Sequence, residues 1–342
     1  MPRLPKPISF TPPDPLKTFP SMNILLFLFA SLLIACFSIR ADDRPSIRLG
    51  VMAGGTLAWE LAAMQKQGLT ETAPFKLESI TLANQQAGRI ALQGGAVDVI
   101  VADWFWVANM RAENAEYSFY PFSSGGGALV VPAASPIRDL AGLSGKKLGV
   151  AGGERDKNWL LLQALGQKRG LGLRQSVVPV YAAPPLLSQQ LTEQRLDALL
   201  TYWQSAARLE AQGYRKLLSG EDIVSQLGVT EKTPSLGYVF KQSWARQHAA
   251  TLRSFIETAA AARGRLCNDP QAWEQIRALT EAEDAPTAAA IKQSYCQGHL
   301  NQWTPAQLAA ADALYRIIHE LDPTLTGKAP SLPEGTFWSP EQ

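Results

Sequence analysis

The chain repeats itself at an offset of 99 residues, 191 against 92. Leu92–Ala108 reads LQGGAVDVIVADWFWVA and Leu191–Ala207 reads LTEQRLDALLTYWQSAA. Without a gap they share the leucine, an aspartate (Asp98, Asp197), a tryptophan (Trp104, Trp203) and the closing alanine. The same offset sets Leu49-Gly50-Val51 on Leu148-Gly149-Val150. Each copy then runs into a glycine pair (Gly54-Gly55, Gly152-Gly153) and a tryptophan (Trp59, Trp159). A unit of this length is too long for a solenoid repeat of roughly 20 to 50 residues and has the size of a domain lobe. The repeat therefore points to two similar lobes facing each other across a cleft.

Each copy alternates short apolar runs with amphipathic stretches. In the first, Ile47–Ala53, Phe75–Leu82 and Val97–Ala102 read as strands, with helices at Thr56–Gln67 and Gln85–Gln93 between them. In the second, the strands are Lys147–Ala151, Val177–Tyr181 and Ala198–Thr201, and the helices Asp156–Arg169, Pro185–Glu193 and Gln204–Gln212. A βαβαβ order predicts a parallel sheet with helices on its faces, hence an α/β fold. Two further extended runs, Gly126–Pro132 and Leu236–Phe240, flank the second copy and read as crossover strands between lobes. From there the pattern is helical: His248–Leu266, Ala272–Leu279, Pro286–Gln297 and Pro305–Leu321, expected to pack back on lobe one. The expected organisation is a leader at 1–40, lobe one at 45–130 plus 236–330, lobe two at 131–235, and an extended tail at 331–342.

The leader carries seven prolines in its first 20 positions, then the uncharged run Ile24–Phe37. That run fits a secretory signal core and is short of the roughly 20 apolar residues of a membrane span. Leu33-Ile34-Ala35-Cys36 resembles a lipobox, which makes Cys36 a candidate for lipidation; the alternative is an ordinary small residue near a cleavage site. Export to the periplasm is expected, with membrane attachment only through such an anchor. Of the 32 basic and 30 acidic residues, the leader holds Arg3, Lys6, Lys17 and Arg40 against Asp14 alone, so the body is near neutral. This argues against a nucleic-acid partner. Beyond the leader only Cys267 and Cys296 remain, a candidate disulfide in an oxidising compartment or two buried thiols.

Catalytic and metal patterns are not found. The three histidines, His248, His299 and His319, have no zinc-site spacing, and no HExxH, CxxC or GxSxG occurs. No cofactor is called for. The glycine turns after Leu49 and Leu148 match neither GxGxxG nor the Walker spacing, but they stand where α/β sheets present ligands, beyond the carboxyl ends of strands. That rule selects Thr56, Trp59, Asn84, Asp103 and Trp104 in the first copy, and Asp156, Lys157, Tyr202 and Trp203 in the second. Five of the nine tryptophans sit on such turns, so an aromatic-walled cleft is expected, although each is equally a core residue. Glu60, Asp103, Glu154 and Asp156 suit a cation, and Arg155 and Lys157 an anion. Asp156 is equally a helix cap, and Glu60 and Lys157 equally solvated first-turn charges.

The segment SPIRDLAGLSGKKLGV (135–150) resembles the interlobe region of the nitrate, sulfonate and taurine binding group among periplasmic solute-binding proteins of ABC transporters. That group is similar to thiamine-precursor binding proteins. ALQGGAVDV (91–99) resembles the group's helix-to-strand step, and the likeness extends over roughly residues 46–265. It implies a type II periplasmic-binding-protein-like fold and a monomer that closes on a small solute and delivers it to a permease driven by an ATPase. Its binding turns fall on Thr56, Asn84, Asp103, Trp104, Asp156, Tyr202 and Trp203. The chain departs from the sulfonate-type pattern at Glu154-Arg155-Asp156-Lys157, where that group has small hydroxyl or glycine residues. Two other classes are an enzyme on the same fold, related to pyrimidine synthesis for thiamine, and a sensor that presents solute to a membrane receptor. The first would lead one to expect a cysteine-rich motif and a reactive histidine near the cleft, and the chain has neither.

Overall fold

A computed structural model describes residues 42–300, 303–326 and 328–339. The leader and Cys36 lie outside the described residues. Among the described residues no helix is long and apolar enough to cross a membrane.

Ten strands form two five-stranded sheets. The first contains β1 (Ser46–Met52), β2 (Lys76–Leu82), β3 (Val99–Ala102), β4 (Tyr117–Ser123) and β10 (Leu236–Lys241), in the order β2-β1-β3-β10-β4. The second contains β5 (Gly127–Val131), β6 (Lys147–Ala151), β7 (Val178–Ala182), β8 (Ala198–Tyr202) and β9 (Arg215–Ser219), in the order β7-β6-β8-β5-β9. In each sheet the repeated strands pair in parallel, β1 with β2 and β3, β6 with β7 and β8. One antiparallel strand then joins each set, β10 in the first sheet and β5 in the second.

The sheets have thus exchanged a strand: β5 follows β4 in sequence yet belongs to the second sheet, and β10 returns from the second lobe to the first. This moves the first crossover to residues 124–126, so that β5, expected within lobe one, is part of lobe two. A short apolar run has the same pattern whichever sheet it joins; only its hydrogen-bond partners, β8 and β9, decide. The strands β4 and β9, and the helix Gly220–Leu227, were not anticipated; β4 and β9 lack clean alternation, and their burial is set by neighbours far away in sequence.

The shared residues of the repeat are structural. Asp98 accepts from the Arg48 amide at 2.9 Å, and Asp197 from the Lys147 amide at 2.8 Å; both tie the loop before the third strand to the start of the first. Gly50 and Gly149 lie on the first strand of each copy, where apolar side chains from the paired strands and the segments beside them crowd the backbone. A Cβ on Gly50 would come within 2.7 Å of Leu82 and 2.9 Å of Ile100; on Gly149 it would come within 2.7 Å of Leu196 and 2.9 Å of Leu199.

The helix Ala249–Asn268 packs on helix Thr56–Lys66 of lobe one. Two later helices also reach lobe two, Ala285–Gln297 against Trp203–Ala211 and Pro305–Leu321 against Lys157–Lys168. A disulfide joins Cys267 to Cys296 with Cα atoms 5.7 Å apart, tying the first of these helices to the second. The described part of the tail lies beside β4, where Phe337 forms a parallel bridge with Phe119 and Trp338 donates to the Phe119 carbonyl at 2.9 Å. Both aromatic rings are buried.

Candidate functional site

The strand ends of the two sheets face one another across a cleft whose floor is the pair of crossovers. The lining comes from Gly55, Thr56, Gln85 and Asp103 in lobe one, and from Asp156, Lys157, Asn158, Tyr202, Trp203 and Gln204 in lobe two, with Gly125–Gly127 and Ser235 beneath. The cavity is narrow, about 80 Å³, well below the roughly 300–1,000 Å³ of pockets for drug-sized ligands, which excludes a polymer and leaves room only for a small group. The crossovers are joined to each other, since the Ser235 amide donates to the Ser123 carbonyl at 2.7 Å.

Each polar wall residue is placed by a helix start. Asp103 caps Trp104–Ala112, accepting from the Trp106 amide at 2.9 Å, and Asp156 caps Lys157–Lys168, accepting from the Asn158 amide at 2.9 Å. The cap reading of Asp156 and the cleft reading both hold. Asn158 continues the chain of contacts by accepting from the Gly127 amide at 3.0 Å, which fixes β5 at the hinge. The N-termini of Thr56–Lys66 and Trp203–Ala211 carry no side-chain cap, and Gly55, Thr56 and Trp203 at these starts line the cleft. Burial, and then the charge of Asp103, push the Asp156 carboxyl up from 3.8 to about 6. Burial and next Asp156 push the Tyr202 hydroxyl above its ordinary range. Burial pushes the Lys157 ammonium down.

Of the residues selected from the sequence, Thr56, Asp103, Asp156, Lys157, Tyr202 and Trp203 come together in the cleft. Trp59, Trp104 and Asn84 do not line it. Trp59 is fully buried, its Nε1 donating to the Leu279 carbonyl at 2.9 Å; Trp104 is buried, its Nε1 donating to the Pro234 carbonyl at 2.8 Å. Asn84 is exposed and caps the helix Gln85–Gln93 by accepting from the Ala87 amide at 2.9 Å. Trp203 alone among the tryptophans lines the cavity, so the aromatic-walled cleft is replaced by an aromatic seam between lobes. Trp203 meets Trp59 edge-on at 6.0 Å, while Trp104 and Trp159 share the other core. Glu154 and Arg155 are exposed, and Glu154 pairs with Arg174 at 2.6 Å.

Glu60 is neither solvated nor at the cleft. It is fully buried against Arg263 at 3.0 Å and the Tyr238 hydroxyl at 2.8 Å, with the Arg263 guanidinium 4.9 Å from the Phe122 ring centroid. Asn158 stands in the same turn, 154–159, as Asp156 and Lys157, whereas Gln85 and Ser235 were missed; Ser235 shows its role only once β10 is known to close the hinge. Among the described residues no cluster of His, Cys, Asp and Glu could hold a metal ion.

Two lobes that exchange one strand each through a double crossover define the periplasmic-binding-protein fold, and this chain has it. A family model described as NMT1/THI5 like matches residues 122–273, a stretch that includes the segment 135–150 and excludes 91–99. The alkanesulfonate-binding protein SsuA from Xanthomonas axonopodis pv. citri, solved with MOPS bound, is similar with a TM-score of 0.65 and 18% identity, over 87% of this chain and 99% of its own. The periplasmic aliphatic sulphonate binding protein SsuA from Escherichia coli gives 0.66 and 18%, over 86% and 97%. A conserved Candida albicans gene product with the generic periplasmic binding protein fold gives 0.56 and 11%, over 84% and 97%. At such identities the likeness is one of fold. No curated protein matches the sequence.

Proposed function

We propose that this protein is the extracytoplasmic solute-binding component of an ABC-type uptake transporter. It closes on a small organic solute without catalysis and presents it to a membrane permease driven by an ATPase. The observation that carries this reading is the small cavity bounded from both lobes and floored by both crossovers. A solute there touches both walls at once, so its contacts favour the closed arrangement over the open one. The relatives in fold that are named as sulfonate-binding proteins, and the leader expected to direct export, support the same reading, with the periplasm as the place of work and a monomer as the working form.

Small-angle scattering with and without solute, together with tryptophan fluorescence, tests the clamp. Trp203 at the cavity wall reports closure. A solute that contracts the particle and shifts the emission supports the reading. A particle of fixed size whatever solute is added would sink it, and turnover of the solute rather than its unchanged release would replace the clamp with an enzyme.

A further inference from the structure

The charges of the cleft are not evenly available to a ligand. Asp103 of lobe one and Asp156 of lobe two both line it, one from each wall. Each uses Oδ1 on its own helix: Asp103 accepts from the Trp106 amide, and Asp156 from the amide and the Nδ2 of Asn158. The two nearby cations already have partners. Arg89 pairs with Asp103 Oδ2 at 3.3 Å and lays its guanidinium 5.2 Å from the Trp106 ring centroid. Lys157 donates to Ser235 Oγ at 2.8 Å and the Ser235 carbonyl at 3.4 Å, and stands 5.9 Å from the Trp104 ring centroid. On the second wall a Cβ on Gly152 would run into both Asp156 Oδ2 and the Tyr202 hydroxyl oxygen, so that pair is packed against bare backbone.

Two carboxylates from opposite lobes share one small, poorly solvated space, where burial and then the charge of Asp103 disfavour the ionised form of Asp156. Asp103 and Asp156 also occupy the first-turn amides of their own helices, which leaves only the uncapped starts of Thr56–Lys66 and Trp203–Ala211 for an oxyanion. We propose that the solute carries a protonated nitrogen, held between Asp103 and Asp156, with Tyr202 orienting the second carboxylate. This deepens the solute-clamp reading and rests on it. The rise of the Asp156 carboxyl to about 6, from burial first and the charge of Asp103 second, agrees: a ligand cation beside it offsets both costs of ionising it.

The test is a matched series of primary alkylamines, ω-aminoalkanesulfonates and alkanesulfonates of equal chain length. Melting shifts and binding heats are measured at pH 7.5 on the wild type, Asp103→Asn and Asp156→Asn. Asparagine caps a helix as well as aspartate does, so both variants keep their helix starts and fold. The expected result is binding of nitrogen-bearing members in preference to plain alkanesulfonates, with each substitution weakening it roughly tenfold to a hundredfold. Tighter binding of the alkanesulfonates, or amine binding that survives both substitutions, overturns the inference and leaves the clamp standing. If no member of any series moves the melt or gives heat, the clamp itself fails and the inference with it.

Discussion

Asp98 and Asp197 do the same work in the two lobes, whereas Asp103 and Tyr202, at the next turn of each copy, do not. The first pair anchors a loop to a strand, a task any lobe of this design has to perform. The second pair faces the cleft, and there Asp103 caps its helix while Tyr202 leaves its helix uncapped and packs with Asp156 against Gly152. The same contrast runs one turn earlier. After the helix tryptophan, lobe one carries Glu60, buried with Arg263, and lobe two carries Leu160, buried among leucines. Repetition therefore holds where the backbone must be built and lapses where the lobes face the cleft or the C-terminal helices.

The largest test of that contrast is at Glu60. Glu60→Leu gives lobe one the side chain that serves lobe two, but leaves Arg263 buried without its counter-ion. The expected loss is about 3–5 kcal/mol of unfolding free energy by urea titration. Adding Arg263→Met is expected to restore most of it, because an apolar pair of similar volume replaces the ion pair without an uncompensated charge. A single variant that costs under ~1 kcal/mol means the network is incidental to lobe one.

Glu60 also marks how far the sequence could be read. The strands and helices of both copies are legible because apolar runs and helical spacing are local signals, and the aligned turns bring Asp103, Asp156, Tyr202 and Trp203 together. Glu60 looks like a first-turn charge because its partner lies 203 residues away, on a helix whose packing no local pattern reveals. Trp59 and Trp104 mislead for a related reason: a tryptophan at a helix start faces either a cavity or its packed neighbours, and here Trp59 packs on Trp203 while Trp104 donates to the Pro234 carbonyl. The disulfide was left open because the Cα separation that permits it belongs to tertiary structure.

A second test, of about 2 kcal/mol at most after solvent screening, uses acid. His299, in the C-terminal part packed on lobe one, accepts from Arg263 Nε at 3.3 Å, and burial and then Arg263 push it down to about 4. The unfolded chain therefore takes this proton first, and the stability His299 protects is complete above 6.5 and lost as pH falls towards 4. Asp156 in lobe two has the opposite sign. Its raised carboxyl favours the folded state below 3.8, and that gain is lost as pH rises through about 6. The two slopes oppose each other between pH 4 and 6. His299→Gln is expected to leave stability falling with rising pH across that window, and Asp156→Asn to leave it rising. Melting temperatures at several pH values check both, and slopes unchanged in either variant contradict the assignment.

The smallest effect tests the shared half of the comparison. Gly50→Ala and Gly149→Ala each place a methyl group against the ends of apolar side chains, at 2.7 and 2.9 Å in both lobes. Those ends can shift, so the strain is modest, and the lower conformational entropy of alanine in the unfolded chain offsets part of it. The net loss is expected to be about 1 kcal/mol for each variant, with the two agreeing within roughly 0.5 kcal/mol, and to add in the double variant because the sites lie in different sheets. Equality would mean the repeat preserves a packing distance rather than a letter. A clear inequality, with Gly50 the costlier, would mean that the C-terminal helices held against lobe one stiffen its core where lobe two can give way.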